Sequence, residues 1–295
     1  MGYGSYTASD WNKLKSSRNL SKQQNVNEVF QSKQCNPKFD PKFIGVRECF
    51  DSEDHPNTTP IVVGLDVTGS MGYLAVEIAT GALNELIMKL YSTGAVEDPA
   101  LMCAAYGDYR DQSPLQVTQF ESDIRIAEQL LEIYFENHGQ GQVVPTCLWE
   151  FLAKHTNIDA INKRNEKGFV FTIGDSAPIR DTYIGETMET VIGDKLETGT
   201  TRETLLRSVK EKFHVFHIVV GGRRSFSMPD LAGHIIAISP GDIAMIPEII
   251  ISTIQLQKGM GLEQIMEQWD DVNKPTIRNA IGQLNLSDGE EEIIF

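Results

Sequence analysis

The chain has 295 residues, of which 41% are hydrophobic, so it can form one large domain or one domain with extensions. Its 41 acidic residues outnumber its 26 basic residues and leave a formal net charge of −15. This charge argues against a nucleic-acid partner, whose phosphate backbone requires a basic surface, and suits a basic or metal-bridged partner.

Cysteine usage and hydropathy predict where the protein is found. The four cysteines form no CxxC pair and no dense framework, which is typical of reduced thiols inside the cell. The N-terminus lacks the apolar core of a signal peptide, and no apolar stretch is long enough to span a membrane. We therefore expect a cytoplasmic protein that has no membrane partner.

Residues 1–58 are polar, rich in Ser, Asn, Gln and Lys, and nearly balanced in charge. A short helix is predicted to start at Ser9. The segment is too polar to bury a core of its own, so we predict an arm that lies on the body rather than an independent domain. The side chains expected to dock this arm are Phe43, Ile44, Val46 and Phe50.

Residues 59–257 alternate between apolar strands and helices. The predicted strands are 60–66, 100–107, 115–120, 168–175, 214–222 and 234–239. The predicted helices are 73–92, 122–139, 146–156, 200–213 and 242–259, the last interrupted early by Pro247. Strands that are apolar throughout and separated by helices indicate a doubly wound, mostly parallel sheet, which is a Rossmann-like α/β fold. Residues 258–295 are predicted to form a helical C-terminal extension that ends in the acidic tail "SDGEEEIIF".

Oxygen-bearing side chains follow three of these strands. The stretch "PIVVGLDVTGSMG" places Asp66 at the end of the first strand, with Thr68 and Ser70 directly behind it. Asp108 follows the second strand, and Asp175 ends the strand "GFVFTIGD". Because the crevice of such sheets lies beyond the carboxyl ends of the strands, we expect these side chains to converge at one rim.

A cluster of carboxylates and hydroxyls suits a hard divalent cation such as Mg²⁺ or Mn²⁺. Gly69 and Gly72 are expected to permit the sharp turn that brings Thr68 and Ser70 together. Neutral hydroxyls leave such a metal much of its charge. The metal would therefore attract one more anionic oxygen, from a substrate or from a carboxylate of a partner.

The motif "DVTGSMG" before a helix, a Gly-rich loop before another helix, and "FTIGD" together resemble a von Willebrand factor A (VWA) domain with a metal-ion-dependent adhesion site (MIDAS). Asp66, Thr68 and Ser70 match the family pattern Asp-x-Ser-x-Ser, with Thr in place of the first Ser, and Asp175 matches its later acidic residue. The resemblance covers roughly residues 58–256. "YGDYRD" and "GDSAP" are most similar to intracellular A domains related to those of alpha-kinases.

The resemblance also implies one ligand from the Gly-rich loop, usually a Thr. Here the loop is "NHGQGQVVPTCLWEF", which places Gln142 at that position and Thr146 four residues later. Thr146 could instead cap the helix that follows Pro145. Asp108 could be a metal ligand or could form a local ion pair with Arg110.

An enzyme is the alternative that composition and fold leave open. A strand-end Asp with a later "GDS" also resembles Mg²⁺-dependent haloacid-dehalogenase phosphatases, which need a second Asp two residues after the nucleophile. Position 68 is Thr, and the acid expected shortly after "GD" is absent until Asp181. A third hypothesis is a structural scaffold without metal.

The predicted function is therefore a non-enzymatic, metal-dependent protein interaction module. It would hold Mg²⁺ or Mn²⁺ and bind an Asp or Glu of a partner protein. The resemblance to intracellular A domains implies that the partner is an AAA+ ATPase and that the module acts as its adaptor.

Overall fold

The computed structural model describes residues 4–136, 142–221 and 231–286. The strands of these ranges are β1 (Arg47–Cys49), β2 (Thr58–Asp66), β3 (Asp98–Tyr106), β4 (Leu115–Val117), β5 (Gln142–Val143), β6 (Thr156–Ile158), β7 (Gly168–Gly174), β8 (Ala177–Pro178), β9 (Phe213–Val220) and β10 (Ile235–Ile238). The helices are α1 (Ala8–Arg18), α2 (Val26–Val29), α3 (Gly72–Glu77), α4 (Leu83–Thr93), α5 (Arg125–Leu131), α6 (Pro145–Lys154), α7 (Asp159–Arg164), α8 (Ile184–Val191), α9 (Arg202–Lys210), α10 (Ile246–Gln257), α11 (Leu262–Met266) and α12 (Lys274–Ile281).

The central sheet of the described residues has the strand order β10-β9-β7-β2-β3-β4. All neighbouring strands run parallel except β4, which pairs antiparallel with β3 at one edge. β2 lies in the middle of the order, and the chain winds outward from it in both directions. The predicted doubly wound, mostly parallel α/β fold is therefore confirmed.

The two faces of this sheet form two separate cores, because successive side chains of a strand point to opposite faces. Ile61, Val63 and Leu65 of β2 belong to the core beneath α3, α4 and α10. Val62 of β2 belongs to the opposite core, which includes the buried residues of α6, α8 and α9. Burial of both faces explains why the strands are apolar throughout rather than alternating.

The helix predicted over 122–139 is much shorter in the structure, where α5 covers only Arg125–Leu131. The buried side chain of Gln116 explains the early end. Its amide donates to the carbonyl of Tyr134 at 2.7 Å and accepts from the amide of Tyr134 at 2.9 Å. These two bonds tie the backbone of Tyr134 to β4, so its amide and carbonyl are not available to a helix. Residues 137–139 of the predicted helix lie outside the described residues.

Pro247 does not interrupt α10 but lies in its first turn. Backbone amides in the first turn have no acceptor within the helix, so the missing N–H of a proline costs no hydrogen bond there. A 3₁₀ turn over Pro240–Met245 precedes the helix. The prediction also missed α7 and α8, and it missed the parallel pair formed by β1 and β6.

The N-terminal arm packs on the body through other residues than expected. The helix α1 begins one residue before Ser9 and is capped by Thr7, whose hydroxyl accepts from the amide of Asp10 at 3.1 Å. Ile44 is buried as predicted, but Phe43 and Val46 are exposed. Docking instead uses Tyr6, Trp11, Leu14, Leu20, Val29 and Phe30, which join the core beneath α3 and α4.

The C-terminal extension is helical, as expected, and α11 and α12 contribute to the same core. Trp269, between these helices, donates its indole N–H to the hydroxyl of Ser252 in α10 at 2.8 Å. The acidic tail from residue 287 lies outside the described residues. The division into residues 1–58, 59–257 and 258–295 stays a prediction.

The four cysteines, all within the described ranges, form no disulfide. Among the helices that the structure describes, none has the length and apolarity needed to cross a bilayer.

Candidate metal centre

The candidate site lies at the carboxyl edge of the sheet, where four loops meet. The loop after β2 carries Asp66, Thr68 and Ser70, and β7 leads into Asp175. β2 and β7 are direct neighbours in the sheet, with Leu65 opposite Ile173. Strand pairing therefore places both acid-bearing loops side by side.

Asp66 is fully buried. Its Oδ1 accepts the amide of Thr68 at 2.9 Å and the hydroxyl of Thr68 at 2.6 Å. Its Oδ2 is equally buried and accepts no hydrogen bond from the residues that the structure describes. The absence of a side chain at Gly174 makes room for this carboxylate, since a Cβ there would lie 2.6 Å from the Cβ of Asp66 and 2.8 Å from Oδ2.

Burial raises the pKa of Asp66 to about 6, and the nearby charge of Asp175 adds to that increase, whereas the hydrogen bonds from Thr68 and the nearby hydroxyl of Ser176 oppose it. A buried carboxylate with an unpartnered oxygen is costly, and a cation beside it would remove most of that cost. The electrostatics of Asp66 therefore favour a bound cation.

An unbroken chain of side-chain oxygens links Asp66 to Asp175. The hydroxyl of Thr68 contacts Asp66 and lies 3.5 Å from the hydroxyl of Ser70. Ser70 in turn donates to Oδ1 of Asp175 at 3.2 Å, and Ser176 donates to the same oxygen at 3.0 Å. The structure thus brings together the four residues that the sequence predicts as the centre of the site. Ser176 is an additional member that the prediction missed, although it is visible in the sequence as the Ser of "GDS".

The turn behind Asp66 forms differently from the prediction. Neither Gly69 nor Gly72 has a positive φ, so neither is required for its conformational freedom. The turn is instead a single 3₁₀ turn over Gly69–Met71, closed by a hydrogen bond from the amide of Met71 to the carbonyl of Thr68 at 2.9 Å.

Thr146 approaches the rim from α6. The amide of Val144 donates to the carbonyl of Gly107 at the end of β3 at 3.1 Å, and Leu148 packs on Gly64 in β2. These two contacts bracket Thr146 in the chain, and its side chain is fully buried. The interpretation of Thr146 as a helix cap is wrong, because Val144 occupies the cap position and the Thr146 hydroxyl has no hydrogen-bond partner among the described residues.

Gln142 also lies close to the rim. It pairs with Ala177, two residues after Asp175, and its carbonyl accepts from the amide of Tyr109 at 3.2 Å. Its side-chain Oε1 is buried and finds no partner within the described ranges. Both candidates from the third loop therefore present an unused oxygen.

Asp108 forms the local ion pair with Arg110 rather than facing the other acids. Its Oδ1 accepts from the Arg110 amide at 3.1 Å and from Nε at 2.9 Å, and its Oδ2 accepts from Nη2 at 3.0 Å. Both carboxylate oxygens are thus occupied by one guanidinium. This geometry disfavours the predicted role of Asp108 as a metal ligand.

The residues at the rim fit a divalent cation by their chemistry. No three Asp, Glu, His or Cys side chains in the described part of the chain cluster closely enough to hold a metal by themselves. A site here must therefore use the hydroxyls of Thr68 and Ser70 beside the two acids, which is a set of oxygen donors that suits Mg²⁺ or Mn²⁺. Asp66 and Thr146, whose buried oxygens have no partner among the described residues, are the side chains that would hold such a cation at this rim.

No model of a known protein family and no curated protein matches the chain. Solved structures that are similar to it include proximal thread matrix protein 1 from the mussel byssus, at 13% identity over 70% of this chain and 49% of that one, with a TM-score of 0.43. A second structure of that protein has a zinc-occupied MIDAS motif and a TM-score of 0.44. The pilus adhesin SpaC from Lactobacillus rhamnosus GG matches at 10% identity over 74% of this chain and 31% of that one, with a TM-score of 0.44.

The vWF domain of the type V pili tip protein Mfa5 from Porphyromonas gingivalis matches at 11% identity over 69% of this chain and 97% of that one, with a TM-score of 0.42. The chain thus spans about half the length of the mussel protein and about a third of SpaC. The Mfa5 structure is a vWF domain and one structure of the mussel protein has a MIDAS motif, which are the two features that the sequence resembles. At these TM-scores we carry over no residue role from them. They give no support to the narrower comparison with the A domains related to alpha-kinases.

Proposed function

We propose that the chain is a VWA-type interaction module that holds Mg²⁺ or Mn²⁺ and uses it to bind an acidic residue of a partner protein. The observation that supports this best is the chain of contacts that runs from Oδ1 of Asp66 through Thr68 and Ser70 to Asp175. The other oxygen of Asp66 is buried and has no partner among the described residues. These four residues are the proposed ligands, with Thr146 as the ligand from the third loop and Gln142 as the second candidate.

The proposed mechanism follows from charge. A divalent cation held largely by hydroxyls would retain positive charge at the surface, where Ser70 is exposed. The protein as a whole carries a charge of −15 and repels acidic partners at long range. A local cation removes that repulsion at one point, so binding would select a partner with one well-placed Asp or Glu on a neutral or basic surface.

The first experiment measures the melting temperature of the whole chain in EDTA, Mg²⁺ and Mn²⁺. A ligand that binds only the native state stabilises it, by about 2.7 kcal/mol at 100 times its Kd. We expect Asp66→Asn to abolish this increase and to raise the melting temperature in EDTA, because it removes a buried charge. Asp181→Asn is the matched control, since it changes the net charge equally at an exposed residue that pairs with Arg202. An unaltered metal response in Asp66→Asn would disprove the site.

The second experiment searches for the partner. Proteins from the native host are captured on the immobilised chain in Mg²⁺ and eluted with EDTA, with the Asp66→Asn chain as a parallel matrix. Proteins that need both the metal and Asp66 are the expected partners. We propose a cytoplasmic AAA+ ATPase among them, and its absence would leave the interaction module standing without the adaptor role. Partners that stay bound in EDTA would favour a metal-free scaffold.

The phosphohydrolase alternative has less support. Thr68 occupies the position at which that chemistry needs an acid. The next acid along the chain after Asp175 is Asp181, which lies on an exposed 3₁₀ turn and pairs with Arg202 at 2.9 Å. We expect no hydrolysis of p-nitrophenyl phosphate in Mg²⁺. A turnover that Asp66→Asn abolishes would instead favour the enzyme.

A further inference from the structure

Large hydrophobic side chains are exposed beside the candidate metal centre. Tyr73 is 46% exposed in the first turn of α3, three residues after Ser70, and Tyr183 is 39% exposed. Tyr183 stacks on Tyr109, which follows β3 and contacts Gln142 through its amide. We call Tyr73, Tyr109, Tyr183 and Arg110 the tyrosine rim.

Within the tyrosine rim, Tyr109 stacks against Tyr183 on one side and contacts Arg110 as well. The rings of Tyr109 and Tyr183 have centroids 5.8 Å apart and planes inclined by 15°. The guanidinium of Arg110 lies 5.1 Å from the centroid of the Tyr109 ring. Tyrosine and arginine are, with tryptophan, the residue types most enriched at the energetic centres of protein interfaces. Tyrosine offers a large contact area with only two side-chain torsions to fix, and a guanidinium stacked on its ring is held by a cation–π contact.

The loop that carries Tyr109 and Arg110 is held in place before any partner arrives. The amide of Asp108 donates to Oδ2 of Asp111 at 2.9 Å, and the amide of Asp111 donates to the carbonyl of Asp108 at 3.0 Å. The amide of Gln112 donates to the carboxylate of Glu136 at 3.0 Å. A loop fixed in this way loses little conformational entropy on binding, so its surface is preorganised for contact with a partner.

The charge of the rim indicates what can dock there. Asp108 neutralises Arg110, so the rim adds aromatic area and no net charge to a strongly acidic protein. A partner segment with several acids would be repelled, whereas a single carboxylate with apolar neighbours would meet complementary aromatic surface beside the candidate metal centre.

We propose that the tyrosine rim selects the residues that flank the partner's carboxylate. The occupant is a protein segment with one Asp or Glu and an aromatic, prolyl or aliphatic side chain next to it. This inference rests on the proposed function and adds the chemistry of the partner sequence to it.

A peptide display library tests the inference on the full chain. Its members carry a central Asp or Glu with randomised flanks, and they are selected in Mg²⁺ and eluted with EDTA. We expect enrichment of aromatic, prolyl and aliphatic flanks. One selected peptide is then titrated against the wild type, Tyr109→Ala and Tyr183→Ala, with Phe43→Ala and Val272→Ala as controls. The controls are 73% and 80% exposed and belong to other parts of the chain.

Each rim variant should bind the peptide with an affinity about 10-fold lower than the wild type, and each control with an affinity less than about 2-fold lower. The rim variants must keep the metal-dependent rise in melting temperature, which shows that the fold and the metal site are intact. Tyr183→Ala is less apt to disturb the fold than Tyr109→Ala, because the ring of Tyr183 is more exposed. Two outcomes would overturn this inference and leave the proposed function standing. In the first, the selected peptides need Mg²⁺ and Asp66 but have no apolar flanks. In the second, a selected peptide binds the rim variants with the same affinity as the wild type. If no peptide requires metal and Asp66, the proposed function fails and this inference fails with it.

Discussion

Several residues at the candidate site keep a buried oxygen that folding leaves unused. Buried polar groups are nearly always paired in proteins, so each exception needs an explanation. Asp66, Gln142 and Thr146 each keep a buried oxygen without a partner among the described residues, and all three lie at the carboxyl edge of one sheet. Buried oxygens elsewhere, such as Oε2 of Glu248 and Oε1 of Gln257, also lack a partner among the described residues. It is therefore the common location of the three at one edge of the sheet that suggests a shared ligand.

The hydroxyl of Thr146 can be tested by itself. Thr146→Val keeps the shape of the side chain and removes only an unpaired buried hydroxyl, so stability in EDTA should be unchanged or rise by up to about 1 kcal/mol. The gain in melting temperature from Mg²⁺ should shrink. Thr253→Val is the control, because Thr253 is equally buried but donates to the carbonyl of Ile249 at 2.7 Å. A full metal response in Thr146→Val would remove Thr146 from the ligands, and Gln142→Leu would then be examined.

His217 gives the protein a predicted sensitivity to acid. It is fully buried in β9, where Nδ1 lies 2.8 Å from the hydroxyl of Thr172, and burial lowers its pKa to about 3. In the unfolded chain a histidine binds a proton near pH 6.5, so the folded state loses stability as the pH falls from about 6.5 towards 3. The loss amounts to about 1.4 kcal/mol per pH unit from this residue.

The corresponding measurement is the free energy of unfolding between pH 7 and pH 4. His217→Gln should reduce the slope with pH by about one proton, even where it lowers stability at pH 7. A slope identical to that of the wild type would show that His217 is protonated in the folded state at these pH values.

At the scale of elements, the N-terminal arm is part of the structure that supports the loop over residues 66–71, which carries the proposed ligands after β2 and which we call the metal loop. Trp11 and Leu14 of α1 enter the core beneath α4. Val26 of α2 lies against Gly72, at the start of α3 and directly behind the metal loop, since a Cβ on Gly72 would be 3.6 Å from the Val26 side chain. The arm was predicted as a polar segment lying on the body, but a few apolar residues in it suffice to bind it to the core.

Trp11→Ala measures what this packing contributes. Removing a buried tryptophan side chain typically costs about 3–5 kcal/mol, and we expect a loss in that range with a single unfolding transition. Lys13→Ala on the same helix is the control and should change the free energy of unfolding by less than about 0.5 kcal/mol. A Trp11→Ala variant as stable as the wild type would mean that α1 contributes nothing to the folded state.

At the scale of the whole molecule, the net charge of −15 affects stability independently of the metal site. The excess acidic side chains repel one another more strongly in the compact folded state than in the unfolded state. Any added salt should therefore stabilise the folded protein by screening this repulsion. A rise in melting temperature with MgCl₂ therefore combines a general part with a site-specific part.

NaCl at the same ionic strength separates the two parts. We expect a small rise with NaCl in both the wild type and Asp66→Asn. The additional rise with millimolar MgCl₂ should occur in the wild type alone. Equal effects of the two salts in the wild type would assign the whole response to screening and would contradict a metal site.

The sequence by itself determined the alternation of apolar strands and helices, because burial on both faces imposes an apolar pattern that is readable over a few neighbouring residues. It also predicted Asp66, Thr68, Ser70 and Asp175 together, since the carboxyl ends of parallel strands must meet at one edge. These features depend on local periodicity and on a general rule of topology.

Only the tertiary structure decided the rest, because each outcome depends on which partners the fold brings within reach. The amide of Gln116 ends α5 early through Tyr134, and Trp11 joins a core formed mainly by later residues. Arg110 takes both oxygens of Asp108, where the sequence left an ion pair and a metal role both open. The Thr146 hydroxyl has no partner among the described residues, although its position suggested a cap. Such choices compare hydrogen-bond partners in three dimensions, and a linear pattern contains no information about which partner is within reach.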